Sequence, residues 1–236
     1  MSKEKNQNLL SKKEGAFELT FKIIVLGDSF VGKSCLALKA VNGTFPHLYK
    51  STVGFEFFNY SVNIDNYNIK FQIWDTCGQE IYRSLISSFY HSSSLAILVY
   101  SIDKIQSFNN LIMWLKEIRA KGDPDMSIIL IGNKADLENK REVTKEMANE
   151  MCENNNINFF LETSAKSGLN IQKIFLEAAK LLLEQHKKHY NMRFHSTESM
   201  KNVAIETKIF NKDTIKKIKL DETENTFNKR RNGCCK

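Results

Sequence analysis

Apolar residues along the chain recur with two spacings, one typical of strands and one typical of helices. Alternating or near-continuous apolar runs predict strands, and a tight turn at Asp65–Asn66 is expected to join two of them. The predicted strands are 20–26, 55–64, 67–75, 95–102, 127–132 and 157–164.

Helices are predicted between these strands, where apolar residues lie three and four positions apart. Thr144 is expected to cap one of them, and Gly122 and Pro124 to end another. The helices are expected at 35–41, 107–120, 145–155 and 170–188. The buried face of 107–120 is predicted to comprise Phe108, Leu111, Ile112, Leu115 and Ile118.

The regular alternation of strands and helices predicts an α/β fold. We expect a mostly parallel six-stranded sheet with helices on both faces, in one domain over residues 19–188. Residues 1–18 are expected to form a flexible extension. From about residue 189 the apolar periodicity fades and polar residues dominate, which predicts a disordered tail over 189–236.

The charge is unevenly distributed. The chain has 34 basic and 27 acidic residues, a net charge of +7, and residues 187–236 hold 13 of the basic and 6 of the acidic ones. The tail therefore accounts for the whole excess and the body is neutral. Without an RNA-binding or DNA-binding motif, this pattern argues against a nucleic-acid partner.

The N-terminal residues lack the apolar stretch of a secretory signal, so we expect a cytosolic protein. Five cysteines suit that compartment, and their spacing indicates neither zinc nor a disulfide framework. Three of them, Cys35, Cys77 and Cys152, are scattered, whereas Cys234 and Cys235 are adjacent near the end.

Residues 27–34, GDSFVGKS, form a glycine-rich phosphate loop between a predicted strand and a predicted helix. In that context the backbone N–H groups of the loop and of the helix N-terminus face a triphosphate. Lys33 is expected to reach the β- and γ-phosphates, and the Ser34 hydroxyl to bind magnesium.

Two further segments follow strands and are expected to recognise the base. In NKAD (133–136), Asp136 can accept hydrogen bonds from the two adjacent donors on guanine, which adenine lacks. In ETSAK (162–166), the Ala165 N–H can donate to the guanine carbonyl. Either string alone fits a solvated loop, but both lie where open α/β sheets bind ligands.

Together these motifs resemble those of Ras-like small GTPases, specifically the Rab family, over roughly residues 18–186. Further matching segments are STVGFEF (51–57), KFQIWDTCGQE (70–80) and LVYSID (98–103). The resemblance implies a P-loop NTPase G domain that binds GTP or GDP with Mg²⁺.

The resemblance also implies roles for individual residues. Thr52 and Asp75 are expected to join Ser34 at magnesium, and Gln79 to orient the attacking water. The Gly78 N–H is expected to contact the γ-phosphate, Phe45 to stack on guanine, and Asn133 to steady the loops. The full set expected at the nucleotide is Gly27, Ser29, Phe30, Val31, Gly32, Lys33, Ser34, Cys35, Phe45, Thr52, Gly78, Asn133, Lys134, Asp136, Ser164, Ala165 and Lys166.

Hydrolysis is expected to be slow, because no arginine near the first switch can act in cis. The resemblance implies a GTPase-activating protein, an exchange factor, a GDP-dissociation inhibitor and effectors at the switch regions. Phe57, Trp74 and Phe89 match the aromatic cluster through which Rab proteins meet effectors, although ordinary core packing is the alternative.

Several positions depart from the family pattern. Phe30 replaces a small residue, and its ring is expected to cover the phosphates without harm. Cys77 replaces alanine and is expected to be a buried thiol, with a redox-sensitive switch as the alternative. Ile81 and HSSS (91–94) replace arginine-containing segments, which leaves the Rab subfamily and its partners open.

The chain ends RRNGCCK, which resembles a Rab double-prenylation site at Cys234 and Cys235. The resemblance implies a prenylation escort and attachment to the cytoplasmic face of an endomembrane, of the Golgi, endosomes or secretory vesicles. Two lipid chains give stable anchoring where one does not. For the tail, the alternative is a pair of free thiols on a polar linker. For the whole protein, the alternative is a nucleotide-binding scaffold that no longer hydrolyses GTP.

Overall fold

The computed structural model describes residues 17–46, 52, 54–77 and 89–191. Several predictions fall outside these ranges. They concern Gly78 and Gln79 at the second switch, Ile81, and the paired cysteines Cys234 and Cys235.

Six strands form one sheet, and five of them run parallel. The spatial order is β2-β3-β1-β4-β5-β6, with β2 antiparallel to β3 at one edge. This confirms the predicted mostly parallel six-stranded sheet. The strands are β1 (Phe17–Leu26), β2 (Phe55–Ile64), β3 (Tyr67–Thr76), β4 (Leu95–Ser101), β5 (Ser127–Asn133) and β6 (Phe159–Glu162).

Two strand lengths differ from the prediction. β1 begins at Phe17, three residues before the predicted start, because its pairing with β3 begins where Phe17 lies opposite Tyr67. β6 covers only four residues within the predicted 157–164. The turn between β2 and β3 is confirmed, and Asp65 adopts a φ of 51° there.

The helices are α1 (Lys33–Asn42), α2 (Ile105–Asn109), α3 (Leu111–Lys121), α4 (Lys145–Asn154) and α5 (171–183), with a 3₁₀ helix at Ala135–Lys140. Thr144 caps α4 as predicted, because its side chain accepts a hydrogen bond from the Met147 N–H. Gly122 follows the end of α3, also as predicted.

The single helix predicted over 107–120 is wrong in two respects. It is interrupted at Asn110, and Ile112 is 40% exposed whereas Trp114 is 1% exposed. Leu111, Trp114, Leu115 and Ile118 follow the spacing of one helical face, so Ile112 points about 100° away from it.

Alternate residues of β1 pack into two hydrophobic cores, one on each face of the sheet. Ile23 and Val25 pack with α1 and α5, whereas Ile24 and Leu26 pack with α2 and α3. Every residue of β4 and β5 is buried. The helices therefore cover both faces, as the apolar runs predict.

The chain divides into two compact units, the first ending at Leu183. In the second unit the structure describes only residues 184–191, which are helical and include an ion pair between Lys188 and Glu184. Among the described residues, no helix is both long and apolar enough to cross a membrane.

Candidate functional site

The phosphate loop lies between β1 and α1 and is organised around a buried lysine. Lys33 is 5% exposed, and its ammonium donates hydrogen bonds to the backbone carbonyls of Gly27 at 2.9 Å and Asp28 at 2.8 Å. Burial is the main cause that lowers the pKa of Lys33 to about 8, and the nearby Asp75 opposes this shift. The loop thus curls around a cation that remains mostly protonated at neutral pH.

Two glycines of this loop leave no room for a side chain. Gly27 has a φ of 137°, and a Cβ there would lie 2.1 Å from the Val99 carbonyl oxygen. Gly32 has a φ of 96°, and its Cβ would lie 2.3 Å from Nδ2 of Asn133. Both positions need a residue that adopts positive φ and allows close backbone approach.

Hydroxyl and carboxylate oxygens gather beside Lys33. The Ser34 and Thr52 hydroxyls lie 2.7 Å apart, and Asp75 is fully buried on β3. Burial raises the pKa of Asp75 to about 6, whereas the Ser34 hydroxyl and the Lys33 ammonium act in the opposite direction. Neither carboxylate oxygen of Asp75 has a hydrogen-bond partner among the described residues.

This group of oxygens fits a small hard cation. Magnesium prefers carboxylate, hydroxyl, water and phosphate oxygens. Within residues 17–46, 52, 54–77 and 89–191, the two oxygens of Asp75 lack the hydrogen-bond partners that buried carboxylates need. The structure therefore brings together the three residues predicted at magnesium, Ser34, Thr52 and Asp75.

Asn133, at the end of β5, connects the phosphate loop with both base-reading segments. Its Nδ2 donates to the Val31 carbonyl at 2.8 Å. Its Oδ1 accepts from the Thr163 hydroxyl at 3.3 Å and from the Ala165 N–H at 3.2 Å. Asn133 thus has the steadying position that the sequence predicts, while the Ala165 N–H, expected at the guanine carbonyl, here donates to Asn133.

Asp136 and Ser164 bring the two base-reading segments into direct contact. The Ser164 hydroxyl donates to the Asp136 carboxylate at 2.6 Å. Lys134 has a φ of 65°, and its ammonium lies 3.8 Å from the Asp103 carboxylate.

A cavity of about 520 Å³ opens between these segments and the phosphate loop. Its volume suits a small ligand. The residues lining it are Phe30, Gly32, Cys35, Phe45, Pro46, Asn133, Lys134, Asp136, Leu137, Ala165 and Lys166. Among these, Pro46 and Leu137 are absent from the sequence-predicted set.

Some residues of the predicted set do not line the cavity. Val31 is 1% exposed and packs in the core, and Ser29 is half-buried in the loop. Lys166, which does line the cavity, is exposed.

The sequence gives no signal for one contact of the phosphate loop. The Asp28 carboxylate accepts a hydrogen bond from Asn110 Nδ2 at 2.6 Å and another from the Trp114 indole N–H at 3.1 Å. Because Asn110 separates α2 from α3, these bonds attach the loop to the joint between the two helices.

A second contact that the sequence does not predict joins the segment after the 3₁₀ helix to the second base-reading segment. Arg141 follows the 3₁₀ helix, and its guanidinium donates two hydrogen bonds to the Glu162 carboxylate, at 2.5 and 3.0 Å. It also pairs with Glu138. A bidentate pair of this kind fixes orientation as well as distance.

The aromatic residues predicted to form a surface cluster do lie together. The Trp74 ring centroid is 5.1 Å from that of Phe57 and 4.8 Å from that of Phe89. Phe55, absent from the prediction, joins them at 4.7 Å from Phe89, and both Phe55 and Phe57 are over 40% exposed. Cys77 is 3% exposed, which confirms the predicted buried thiol.

Comparisons with known proteins agree with this arrangement. The model of the Ras family matches residues 22–184. Ras-related protein Rab5 of Nicotiana tabacum is 44% identical over 164 residues, covering 70% of this chain and 82% of the relative. Ras-related protein RHN1 of Nicotiana plumbaginifolia has the same identity and coverage. The chain belongs to the Ras family, in its Rab branch, and is a small GTPase that hydrolyses GTP.

Proposed function

We propose that this protein is a membrane-attached switch of intracellular vesicle traffic. It binds GTP and GDP together with Mg²⁺, hydrolyses GTP slowly, and recruits effectors in its GTP-bound form at the cytoplasmic face of an endomembrane. The proposed compartments are the Golgi, endosomes or secretory vesicles.

The observation that carries this proposal is the convergence of two halves of one site through Asn133. One half holds the buried Lys33 and the Asp75 carboxylate, which has no hydrogen-bond partner in the described part of the chain. The other half holds Asp136 at a cavity of about 520 Å³. A charged phosphate end and a planar base end, joined in this way, suit a purine nucleotide.

On the phosphate side, Lys33 exchanges partners when nucleotide binds. The backbone carbonyls of Gly27 and Asp28, which now accept its hydrogen bonds, are neutral, whereas phosphate oxygens carry negative charge. Hydrogen bonds between charged groups are about twice as strong as neutral ones. The N–H groups at the start of α1 add further donors there.

Ser34, Thr52 and Asp75 are proposed to hold Mg²⁺. When bound, this ion would supply positive charge that offsets the negative charge developing on the phosphate oxygens during transfer. The protein contributes a carboxylate that is already desolvated, and two hydroxyls already within 2.7 Å of each other.

On the base side, Asp136 is proposed to select guanine by accepting from its two adjacent N–H groups. The Ser164 hydroxyl, at 2.6 Å, holds one oxygen of this carboxylate in place. Phe45 lines the same cavity and offers an aromatic face for stacking. Since adenine lacks the donor pair, it would cover the carboxylate without replacing the hydrogen bonds that water makes to it.

Gln79 is proposed to orient the water that attacks the γ-phosphate, and the Gly78 N–H to contact that phosphate; both lie outside the described residues. A GTPase-activating protein is proposed to supply an arginine, which accelerates hydrolysis by roughly 10³–10⁵ in this reaction class. An exchange factor and a GDP-dissociation inhibitor complete the proposed cycle.

Effectors are proposed to dock on the aromatic cluster of Phe55, Phe57, Trp74 and Phe89. Exposed aromatic rings supply much of the free energy of protein interfaces. Thr52 lies close to Ser34 and only three residues before this cluster. A change in the γ-phosphate contact of Thr52 would therefore reach the docking surface.

Replacing Gln79 tests the proposed cycle. We expect Gln79→Leu to reduce hydrolysis stimulated by a GTPase-activating protein by about 10³-fold or more, because the attacking water loses its orienting partner. GDP affinity should stay within about twofold. Single-turnover release of phosphate measures the first quantity and equilibrium GDP binding the second.

The matched control is Gln172→Leu, since Gln172 is exposed on α5 and does not line the nucleotide cavity. Stimulated turnover that is the same in Gln79→Leu and wild type would contradict the assigned role.

A further inference from the structure

We propose that the side chain of Phe30 lies against the sugar of the bound nucleotide and slows nucleotide release. The inference rests on the proposed function and assigns to one residue of this chain a control over how long the nucleotide stays bound.

The backbone at Phe30 has an unfavourable conformation. Its φ is 65°, in the left-handed region, where an L-residue with a large side chain is disfavoured and glycine is not. Strain of this kind persists where the surrounding structure imposes it, and it is concentrated at ligand sites. The neighbouring loop position Gly32 meets a similar demand with a glycine.

The surroundings of Phe30 give the ring a site for contact. Phe30 is 60% exposed, yet it lines the same cavity as Phe45, Lys134 and Asp136. A ligand filling this cavity would cover apolar surface that otherwise faces water. Covering that surface favours the bound state.

The position of Phe30 in the chain identifies the part of the ligand it meets. It belongs to the phosphate loop, but the cavity it lines is the one at the base-reading segments, and neither Lys33 nor Ser34 lines that cavity. In a nucleotide the sugar links phosphates to base. Of the two phosphate-loop residues that line the base cavity, Phe30 and Gly32, only Phe30 carries a side chain, and its ring is placed beside the sugar.

Removing the ring should accelerate release. Losing about half the burial of a phenyl ring corresponds to roughly five- to tenfold in rate. We expect Phe30→Ala to release GDP five- to tenfold faster than wild type in Mg²⁺. Phe30→Tyr, which retains the ring, should release GDP at the wild-type rate.

The measurement is the dissociation of GDP labelled with tritium on the base, after dilution into unlabelled GDP. A label on the base is chosen because fluorescent groups on the sugar would themselves contact Phe30. The matched control is Phe17→Ala, since Phe17 is 62% exposed and does not line the cavity. Its release rate should equal that of wild type.

A second variant separates contact with the nucleotide from support of the fold. Phe30→Gly removes the ring and the left-handed strain together, so it should speed release without lowering the urea midpoint of the nucleotide-stripped protein. Faster release accompanied by a lower midpoint in Phe30→Gly would assign Phe30 to the fold and overturn the proposal.

Unchanged release in Phe30→Ala would also overturn the proposal while leaving the proposed function intact. Failure of the wild-type protein to retain GDP at all would instead contradict the proposed function, and with it this inference.

Discussion

At the scale of single residues, the most informative group is the Asp75 carboxylate. It is fully buried, its two oxygens have no hydrogen-bond partner among the described residues, and burial raises its pKa to about 6. A protein optimised only for stability would satisfy or remove such a group. Its cost is explained if the carboxylate serves a cation that arrives with the nucleotide.

This explanation predicts how stability of the nucleotide-stripped protein depends on pH. A carboxyl whose folded pKa of about 6 exceeds its unfolded pKa near 4 binds protons more tightly in the folded state. Its contribution to stability is complete below pH 4 and is lost as pH rises through 6. The loss is on the order of 3 kcal/mol.

We expect Asp75→Asn to flatten the unfolding free energy between pH 4 and 7, and to gain stability over wild type as pH rises. Urea unfolding in chelator measures this, with Asp125→Asn, an exposed aspartate, as the control. Stability curves of wild type and Asp75→Asn that stay parallel across this range would contradict the account.

At the scale of elements, the joint between α2 and α3 supports the phosphate loop. The Asp28 side chain bonds to Asn110 and Trp114 at this joint, while its backbone carbonyl bonds to Lys33. The loop is thus attached to helices that pack against the opposite side of the sheet from α1. A shift of α3 would therefore move Asp28 and change its hydrogen bond with Lys33.

Trp114→Phe tests this support. It removes the indole N–H that bonds to the Asp28 carboxylate, and we expect a loss of about 1–2 kcal/mol of unfolding free energy, since hydrogen bonds to charged groups contribute roughly 1.5–3 kcal/mol. GDP affinity should fall as well. Urea unfolding and equilibrium binding measure the two effects.

Trp74→Phe is the control, because the Trp74 indole N–H is buried without a hydrogen-bond partner among the described residues. It makes the same chemical change without losing such a bond. Equal losses of stability and GDP affinity in both variants would argue against a special role for the Asp28 contact.

The elements also show what could be predicted from the sequence. The apolar runs of β4 and β5 and the signals at Thr144 and Gly122 identify elements correctly, because local pattern decides them. The break at Asn110 has no local signal in the sequence: Asn110 keeps helical backbone angles, and the Asp28 carboxylate that its side chain contacts lies 82 residues away. Ile112 is wrongly predicted to be buried, because the prediction relies on its apolar side chain more than on its position around the helix.

The candidate site likewise has residues that the sequence predicts and contacts that it does not. Lys33, Ser34, Asn133 and Asp136 are evident from their motifs, and the structure brings them together. The pair between Arg141 and Glu162, and the place of Phe30 at the cavity, depend on how separate loops meet. Pattern along the chain carries no information about such meetings.

At the scale of the whole molecule, charge separates a neutral body from a basic end. Residues 187–236 hold 13 basic and 6 acidic residues, and the net charge of the whole chain is +7. We propose that this basic segment, with Cys234 and Cys235 near its end, carries a lipid anchor next to anionic headgroups, where each cation contributes about 1 kcal/mol.

We expect the double variant Cys234→Ser/Cys235→Ser to move from the membrane fraction to the supernatant, because two lipid chains give the stable anchoring that a single chain does not. Cell fractionation measures this, and Cys152→Ser, in the body, should remain with membranes. Membrane association that persists in the double variant would discredit the proposed anchor.

The central claim is that the site formed around Asn133 selects guanine through Asp136. Calorimetric titration of the nucleotide-stripped protein with GDP and with ADP, in Mg²⁺, tests it most directly. The account predicts that GDP binds about 10⁴-fold more tightly, as expected when a hydrogen-bonding group covered by the ligand is left unpaired by the wrong one. Asp136→Asn should reverse the preference towards xanthosine diphosphate. Equal affinity of the wild-type protein for GDP and ADP would contradict the claim.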